Sequence, residues 1–412
     1  MRLRKQMPIR NRVALAVATF LALLPSASAS PKFKVLYRFY AGKYNDGGVW
    51  SGLAFDRKGN LYGTTWGGGA NGEGTVFEIV RSDKGTWRKK VLHSFDPRTE
   101  GNDPGGTLLF DGDTALYGTT SLNGPNVSGT VFQMTRTSGG WTFQVIDDYG
   151  SYAGVVPDQV GNLYGSIRPG EYDNGAVAEL VHSAGGWTQN YLYSFCAKSG
   201  CPDGAIPVSG VVFDGAGNLY GTTEYGGTGK AGGLGGGTAY ELQHKPDGTW
   251  EHQVLHSFPA FNGDGMLVYA GLVMDKQGNL YGATAQGGAA TCGTIFKLTP
   301  SATGWSETLL YDFPQRKDGC GPASSLTFDA AGNLYGTAGG GIGDCNGGCG
   351  VVFKLSRAAR GQWKYSVLHR FQDYDGALPS ASVIFDKKGN LYGTTGLGGG
   401  GHSVGVVFEI TP

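Results

Sequence analysis

Gly-Asn-Leu-Tyr-Gly-Thr-Thr, residues 59–65, decides the fold, because the phrase returns along the whole chain. Its Leu-Tyr-Gly core occurs seven times, at intervals of 55, 47, 56, 61, 54 and 57 residues. The copies begin at Leu61, Leu116, Leu163, Leu219, Leu280, Leu334 and Leu391. These periods exceed those of common solenoids and are close to the length of one four-stranded propeller blade. The sequence therefore predicts a tandem array of β units.

Alignment on the triplets reveals four segments with strand character in the repeat, the first of them recognisable in six of the seven units. The first, residues 53–56 in the first unit, leads into an Asp-x-x-Gly-Asn turn, where Gly and Asn tolerate a positive φ. The triplet is the second strand. A Gly-x-Val-Phe segment such as residues 74–79 is the third, and a Trp-led segment such as residues 87–95 is the fourth. The first should be innermost and the fourth outermost.

The fourth segment is missing after the last unit and is present instead at the N-terminus. Residues 33–39 reproduce residues 365–371 before the first complete unit begins. A closed ring needs its last blade completed in this way, since an open ring leaves an unpaired strand edge. We therefore predict an all-β protein, a seven-bladed β-propeller with four-stranded blades, closed by the N-terminal strand beside residues 405–410. An open β-solenoid, the alternative, would not require this complement.

The first 29 residues differ from the repeats. Five Lys and Arg residues precede an apolar run over residues 13–24, and Ala27-Ser28-Ala29 follows. This pattern predicts a signal peptide over 1–29, cleaved after Ala29, and a single propeller domain over 30–412. An uncleaved anchor is the alternative. We expect a secreted or periplasmic protein, with association at the cell surface left open and no membrane insertion after cleavage.

Charge argues against a polyanionic partner. Without the five cations of the leader, 28 basic residues remain against 33 acidic ones, a net charge of about −5. The mature chain has no basic cluster interleaved with aromatic residues, so nucleic acid is not expected as a partner. The chain is expected to be a monomer.

Six cysteines in an exported chain predict three disulfides. Cys196 and Cys201 bracket one loop, Cys345 and Cys349 bracket another, and Cys292 is left to pair with Cys320. Zinc is the competing interpretation, but the spacings match no usual ligand motif and no His accompanies them.

The repeated phrases resemble those of the GloVer tandem-repeat proteins, exported bacterial chains with a Gly-x-Leu-Tyr-Gly-x-Thr, Gly-Gly, Gly-x-Val-Phe pattern. The match covers nearly all of the mature chain. The resemblance implies a propeller-like repeat and specifies no activity. The Asp-x-x-Gly-Asn-Leu segment also looks like that of streptogramin-lyase-like and gluconolactonase-like propellers, but their catalytic and metal-binding residues find no match here.

Repeated polar residues are interpreted as structural. His93, His256 and His369 share one position in the fourth strand, where packing explains them. The triplet Tyr is predicted to pack between blades, with its hydroxyl bonded to the backbone. Asp-Gly pairs at Asp46, Asp203, Asp264, Asp318 and Asp375 suit turns. No familiar catalytic signature is present, and no metal or cofactor is expected, although calcium at one of these turns is left open.

A specific site should use positions where a blade departs from the repeat, because repeated residues present a symmetric surface. The loops after the second strand and the loops entering the first should share one face of the ring. Large or charged residues replace small ones there at the predicted ligand-binding residues Trp50, Trp66, Arg168, Glu171, Tyr172, Glu224 and Tyr225, with Tyr152 and Tyr269 in the entering loops. Drift in surface loops is the competing explanation.

These residues suit a sugar or a peptide, since rings stack on Trp or Tyr while charged groups fix hydroxyls or carboxylates. The function predicted from the sequence is an exported binding or interaction module, with a carbohydrate or protein ligand at the propeller mouth. The first alternative is a polysaccharide-active enzyme, a lyase or hydrolase using Glu171 or Glu224 as general acid or base and Arg168 against a uronate. The second is a structural cell-surface repeat protein.

Overall fold

Short strands, each matching one segment of the repeat, supply the regular structure of this chain. The computed structural model describes residues 30–411 apart from 42–45, 83, 152, 168–171, 229–234, 260–262, 315–317, 342–344, 346–347 and 359–360. The predicted leader lies outside the described residues. Across the described ranges there are 28 strands and no α-helix.

The strands fall into four classes by their place in the repeat. The first strands are β2 (Ala54–Phe55), β6 (Leu109–Asp111), β10 (Val156–Pro157), β14 (Val212–Phe213), β18 (Val273–Met274), β22 (Thr327–Phe328) and β26 (Ile384–Phe385). The second strands are β3 (Leu61–Thr65), β7 (Ala115–Thr119), β11 (Leu163–Ile167), β15 (Leu219–Thr223), β19 (Leu280–Thr284), β23 (Leu334–Ala338) and β27 (Leu391–Thr395). The third strands are β4 (Thr75–Arg81), β8 (Val131–Thr137), β12 (Ala176–Ser183), β16 (Thr238–His244), β20 (Thr294–Ser301), β24 (Val351–Arg357) and β28 (Ser403–Thr411). The fourth strands are β5 (Trp87–Ser94), β9 (Gly140–Asp147), β13 (Gly186–Ser194), β17 (Trp250–Ser257), β21 (Gly304–Asp312), β25 (Trp363–Arg370) and β1 (Lys32–Tyr40).

Seven antiparallel sheets of four strands form the blades, so the predicted seven-bladed propeller is confirmed. Blade 1 runs β2-β3-β4-β5, and blades 2 to 6 repeat that order. Blade 7 runs β26-β27-β28-β1, with Lys32 opposite Thr411 and Tyr40 opposite Ser403. The N-terminal strand thus closes the ring, as predicted.

The glycine of the triplet makes room for an aromatic ring of its own blade. A Cβ on Gly282 would lie 2.4 Å from Cζ of Phe296, a fully buried ring on the neighbouring strand β20. Equivalent contacts of 2.3–2.7 Å recur in five other blades. They join Gly63 to Phe77, Gly118 to Phe132, Gly221 to Tyr240, Gly336 to Phe353 and Gly393 to Phe408. Any larger residue would force this ring out of the core.

The tyrosine of the triplet packs between blades, as predicted. In blade 5, the Tyr281 ring meets Phe328 at 5.2 Å and Trp363 at 6.1 Å, both edge-on and both in blade 6. Its hydroxyl, however, donates to the Asp275 carboxylate at 2.9 Å, so the predicted backbone partner was wrong. That carboxylate also accepts from the Asn279 side chain at 2.8 Å and so holds the turn together. The hairpin brings Asp, Asn and Tyr together because the turn reverses the chain within four residues.

Blade 3 departs from this pattern. Ala178 stands where five blades have Phe, and a Cβ on Gly165 would meet nothing closer than Cγ1 of Val155 at 3.4 Å. Its first strand ends in Pro157, where the other blades carry Phe or Met. The first segment of this blade is therefore not recognised when the blade sequences are aligned. The structure nevertheless pairs Val156 with Tyr164 in the usual register.

Three disulfides join Cys196 to Cys201, Cys292 to Cys320, and Cys345 to Cys349, as predicted. Such bonds persist in oxidising compartments, which fits a protein made for use outside the reducing cytosol. None of the described residues belongs to a helix able to cross a membrane.

The contact between glycine and ring predicts unequal costs for one substitution in two blades. Gly282→Ala overpacks the core against Phe296 and should lower the free energy of unfolding by about 1–3 kcal/mol. Gly165→Ala enters space that no ring occupies and should cost much less. Urea unfolding of both variants checks the difference, and equal losses would contradict this role for the glycine.

The buried tyrosines predict a loss of stability in alkali. Burial, followed by the hydrogen bond to Asp275, raises the pKa of Tyr281 to about 12, and burial raises the pKa of the other six triplet tyrosines as well. An unfolded tyrosine titrates near pH 10. Above pH 10 the unfolded chain therefore binds fewer protons than the native one, and stability should fall as the pH rises from about 10 to 12.

Urea unfolding between pH 9 and 12 measures this slope. Tyr281→Phe removes one such group. It should reduce the slope of the unfolding free energy against pH by the equivalent of up to about one proton. The control is Tyr374→Phe, since Tyr374 is exposed and should leave the slope unchanged. An unchanged slope in Tyr281→Phe would show that this hydroxyl is not protected in the native state.

Candidate functional site

The loops that enter the first strands are fixed around the central channel by side chains of the preceding blade. In six of the seven blades, the residue after the Leu-Tyr-Gly triplet is Ser or Thr and donates its hydroxyl to a backbone carbonyl of the next entering loop. Thr64 reaches Pro104 at 2.7 Å, and Thr394 reaches Ser51 across the ring closure at 3.0 Å. The remaining bonds are Thr119 to Ala153, Ser166 to Ser209, Thr222 to Ala270 and Thr337 to Ala381. These bonds hold the entering loops at fixed distances from the channel.

The entering loops line a cavity of about 360 Å³ at the channel mouth. Its wall uses the residue two positions before each first strand, which is always small: Gly52, Thr107, Gly154, Gly210, Gly271, Ser325 and Ser382. At Gly52 and Gly154 the neighbouring loops approach so closely that a larger residue does not fit. A Cβ on Gly52 would lie 2.3 Å from Oγ1 of Thr107, and one on Gly154 would lie 2.3 Å from the Thr107 carbonyl oxygen. The described lining carries no charged side chain.

Two tryptophans form an aromatic surface at one side of this mouth. Trp50 lines the cavity and is 54% exposed, while Trp66 is 47% exposed. Their ring centroids are 6.5 Å apart and the ring planes are inclined by 55°. Two glycines give the indoles their space, since a Cβ on Gly396 would lie 2.3 Å from Nε1 of Trp50, and one on Gly48 equally close to Nε1 of Trp66. The Trp66 backbone N–H also donates to the Gly48 carbonyl at 3.0 Å.

Another part of the cavity wall carries a tyrosine held by a carboxylate. Tyr269 lines the cavity and donates its hydroxyl to Oε1 of Glu224 at 3.0 Å. Burial and then the charge of Glu224 raise the pKa of Tyr269, while a hydrogen bond to Glu224 raises that of Tyr225. The Glu224 carboxylate therefore fixes the position of the Tyr269 hydroxyl at the cavity wall.

The predicted binding residues divide into three groups. Trp50 and Trp66 lie together at the mouth, and Glu224 and Tyr225 lie with Tyr269. Tyr172 is 42% exposed and does not line the cavity. Arg168, Glu171 and Tyr152 lie outside the described residues.

Sequence reasoning missed two features of the mouth. Tyr269 was noted only as a large residue, because its contact with Glu224 joins different blades and has no signature along the chain. The small residues of the cavity wall do leave a signal, since Gly, Ser or Thr stands two positions before every first strand. Alignment on the triplets exposes that position directly.

The Asp-Gly aspartates act as acceptors for the fourth strands. Asp203 accepts from the Tyr193 hydroxyl at 2.8 Å, Asp318 from Tyr311 at 3.1 Å, and Asp375 contacts Nε2 of His369 at 3.1 Å. Asp46 forms an ion pair with Lys89. At these four turns a protein side chain already occupies the carboxylate. Calcium at an Asp-Gly turn remains a prediction.

The chain matches the family model of the Gloeobacter/Verrucomicrobia repeat over residues 25–235 and again over residues 231–412. Together the two matches cover the whole propeller, which confirms the resemblance derived from the repeated phrases. The comparison with curated proteins found no match.

Solved structures share the fold at low sequence identity. A crystal structure of an ancestral GH74 enzyme superposes with a TM-score of 0.57 at 10% identity, covering 89% of this chain and 48% of that one. This chain therefore spans about half the length of that enzyme. The polysaccharide lyase Uly1 superposes with a TM-score of 0.50 at 11% identity, covering 91% of this chain and 92% of the lyase. At such identities the likeness establishes the propeller fold alone.

The space that Gly396 leaves for Trp50 predicts a local effect of one substitution. Gly396→Ala should push the Trp50 indole outward without unfolding the propeller, because about half of the indole already faces solvent. The matched control is Gly339→Ala in blade 6, where the nearest atom to the new Cβ is 3.9 Å away. Near-ultraviolet circular dichroism should change for Gly396→Ala and not for Gly339→Ala. The change should vanish in a Trp50→Phe background, and its persistence there would contradict the assignment.

Proposed function

Since the chain belongs to the Gloeobacter/Verrucomicrobia repeat family, whose pattern specifies a propeller and no activity, we propose a function from the channel mouth: the protein binds the end of a neutral oligosaccharide there. The observation that carries the proposal is the pair of half-exposed tryptophans beside an uncharged cavity. Large, contiguous aromatic surface is costly to leave in water and is the usual platform for a sugar ring.

The remaining features of the mouth support a sugar over an apolar ligand. Ser325, Ser382, Thr107 and the backbone of the glycine positions offer hydrogen-bond donors and acceptors to hydroxyl groups. Tyr269, ordered by Glu224, adds an aromatic group with a polar tip. A cavity of about 360 Å³ is at the low end for small-ligand sites, which suits a chain end rather than the middle of a polymer. The uncharged lining favours a neutral sugar over a uronate.

The tryptophans also have the rigidity that binding requires. Gly48 and Gly396 confine the two indoles, and the bond from Thr394 to Ser51 holds the loop that carries Trp50. A platform ordered before binding loses little conformational entropy when the ligand arrives. The protein would then bind its ligand without rearrangement of the backbone.

An array of neutral gluco-, xylo-, manno- and galacto-oligosaccharides tests the proposal, followed by calorimetric titration of the strongest ligand. Trp50→Ala and Trp66→Ala should each weaken binding about tenfold or more, as the loss of a central aromatic contact does. The control is Tyr191→Ala, an aromatic residue 51% exposed on the outer strand β13. The proposal would be overturned if no oligosaccharide on the array bound, or if both tryptophan variants bound with the affinity of the native protein. Shortened products after incubation would show a polysaccharide-active enzyme instead.

A further inference from the structure

The interfaces between the outer strands share one design. At six of the seven interfaces a side chain near the end of one fourth strand faces a side chain near the start of the next blade's fourth strand, and at five of these the entering loop between them supplies an acid. The facing pairs are His93 and Phe143, Asp147 and Gln189, Tyr193 and His252, His256 and Glu307, Tyr311 and Tyr365, and His369 and Phe33. In four of these pairs the rings stack, with centroids 3.6–4.2 Å apart.

Where rings stack, the loop acid also has a partner. Nε2 of His93 lies 2.8 Å from Oε2 of Glu100 while the imidazole stacks on Phe143 at 3.8 Å. His369 repeats this arrangement with Asp375 and Phe33. The His93 and His369 interfaces are complete, since Nε2 of each imidazole is paired with an acid and each ring is stacked. At the interface of Tyr193 and His252, by contrast, Nε2 of His252 and Oδ1 of Asp203 are buried without a hydrogen-bond partner.

The interface between blades 4 and 5 breaks the design. Glu307 on β21 takes the position of the stacking ring, opposite His256 on β17, and Asp264 is the loop acid. Nε2 of His256 lies 3.5 Å from Oε2 of Glu307 and 3.6 Å from Oδ2 of Asp264, too far for good hydrogen bonds. Nε2 of His256 and Oε1 of Glu307 are both buried and have no hydrogen-bond partner. Polar atoms left in this way are expensive and need an explanation.

The geometry points to a metal ion: we propose that His256, Asp264 and Glu307 bind a divalent transition-metal ion, with Zn²⁺ the best fit, between blades 4 and 5. The three ligand atoms lie within 4.8 Å of one another. A tetrahedral zinc site with ligands at 2.0–2.2 Å has ligand-to-ligand distances of about 3.3–3.6 Å, which matches the two measured separations. Imidazole nitrogen and carboxylate oxygen are both ordinary zinc ligands.

The surroundings of the three ligands suit such a site. The His256 ring is set edge-on against Phe258 at 4.6 Å, and the Asp264 backbone is held by the Thr294 hydroxyl at 2.8 Å. The Asp264 side chain is 43% exposed, so an ion has access from solvent and water can complete the coordination. Calcium, which prefers six to eight oxygen ligands, fits a site with an imidazole poorly. The proposal departs from the sequence-based expectation that the chain holds no metal.

Titration of EDTA-treated, untagged protein with ZnCl₂ tests the site by calorimetry, with elemental analysis for stoichiometry. We expect one Zn²⁺ per chain and a rise in Tm on loading, because an ion bound to the native state stabilises it. Glu307→Phe restores the ring found at the equivalent place in blade 2, so it should fold and should bind Zn²⁺ at least tenfold more weakly. Asp264→Asn, at a partly exposed position, should also weaken binding.

The matched control is His93→Gln, the same repeat position at an interface that stacks on Phe143; it should leave zinc affinity unchanged. The proposal would be overturned if the native chain did not bind zinc stoichiometrically, or if Glu307→Phe and Asp264→Asn bound zinc with the affinity of the native chain. Binding of CaCl₂ in preference to ZnCl₂ would do so as well. None of these outcomes depends on oligosaccharide binding at the channel mouth.

Discussion

The tyrosine of each Leu-Tyr-Gly triplet is the contact on which the ring depends. It belongs to the second strand of one blade, yet its ring is covered by the next, as Tyr281 is by Phe328 and Trp363. A single blade would leave this ring in water, so no blade can bury its own core. The hydroxyl meanwhile bonds to the turn of its own blade through Asp275. One residue therefore couples the turn inside a blade to the packing between blades.

Most of the fold could be predicted from the sequence because the determinants of a blade are local and recur. The repeated triplet, turn and Trp-led strand predicted the number of blades, and the displaced fourth strand predicted ring closure by β1. The partner of the tyrosine hydroxyl could not be predicted, since it depends on how the hairpin places Asp275 beside Tyr281. The first strand of blade 3 escaped for a different reason, because Pro157 stands where the other blades carry Phe or Met.

The candidate site was predictable only as a set of loops. Departure from the repeat singled out Trp50, Trp66 and Glu224, but the pairing of Tyr269 with Glu224 joins loops 45 residues apart. Comparison between blades is informative in a second way at Glu307. Glu307 stands where other blades place a stacking ring. Its place opposite His256 becomes visible only after the strands of different blades are superposed.

Ring closure through β1 also affects how the chain can fold while it is being synthesised. Synthesis proceeds from the N-terminus, so β1 is made long before its partner β28. Until the final residues arrive, Phe33 and Phe39 lack the partners that cover them in blade 7. Closing a loop of nearly the whole chain adds an entropic cost that only the complete ring offsets. Until the last blade forms, the earlier blades keep exposed strand edges that are prone to aggregation.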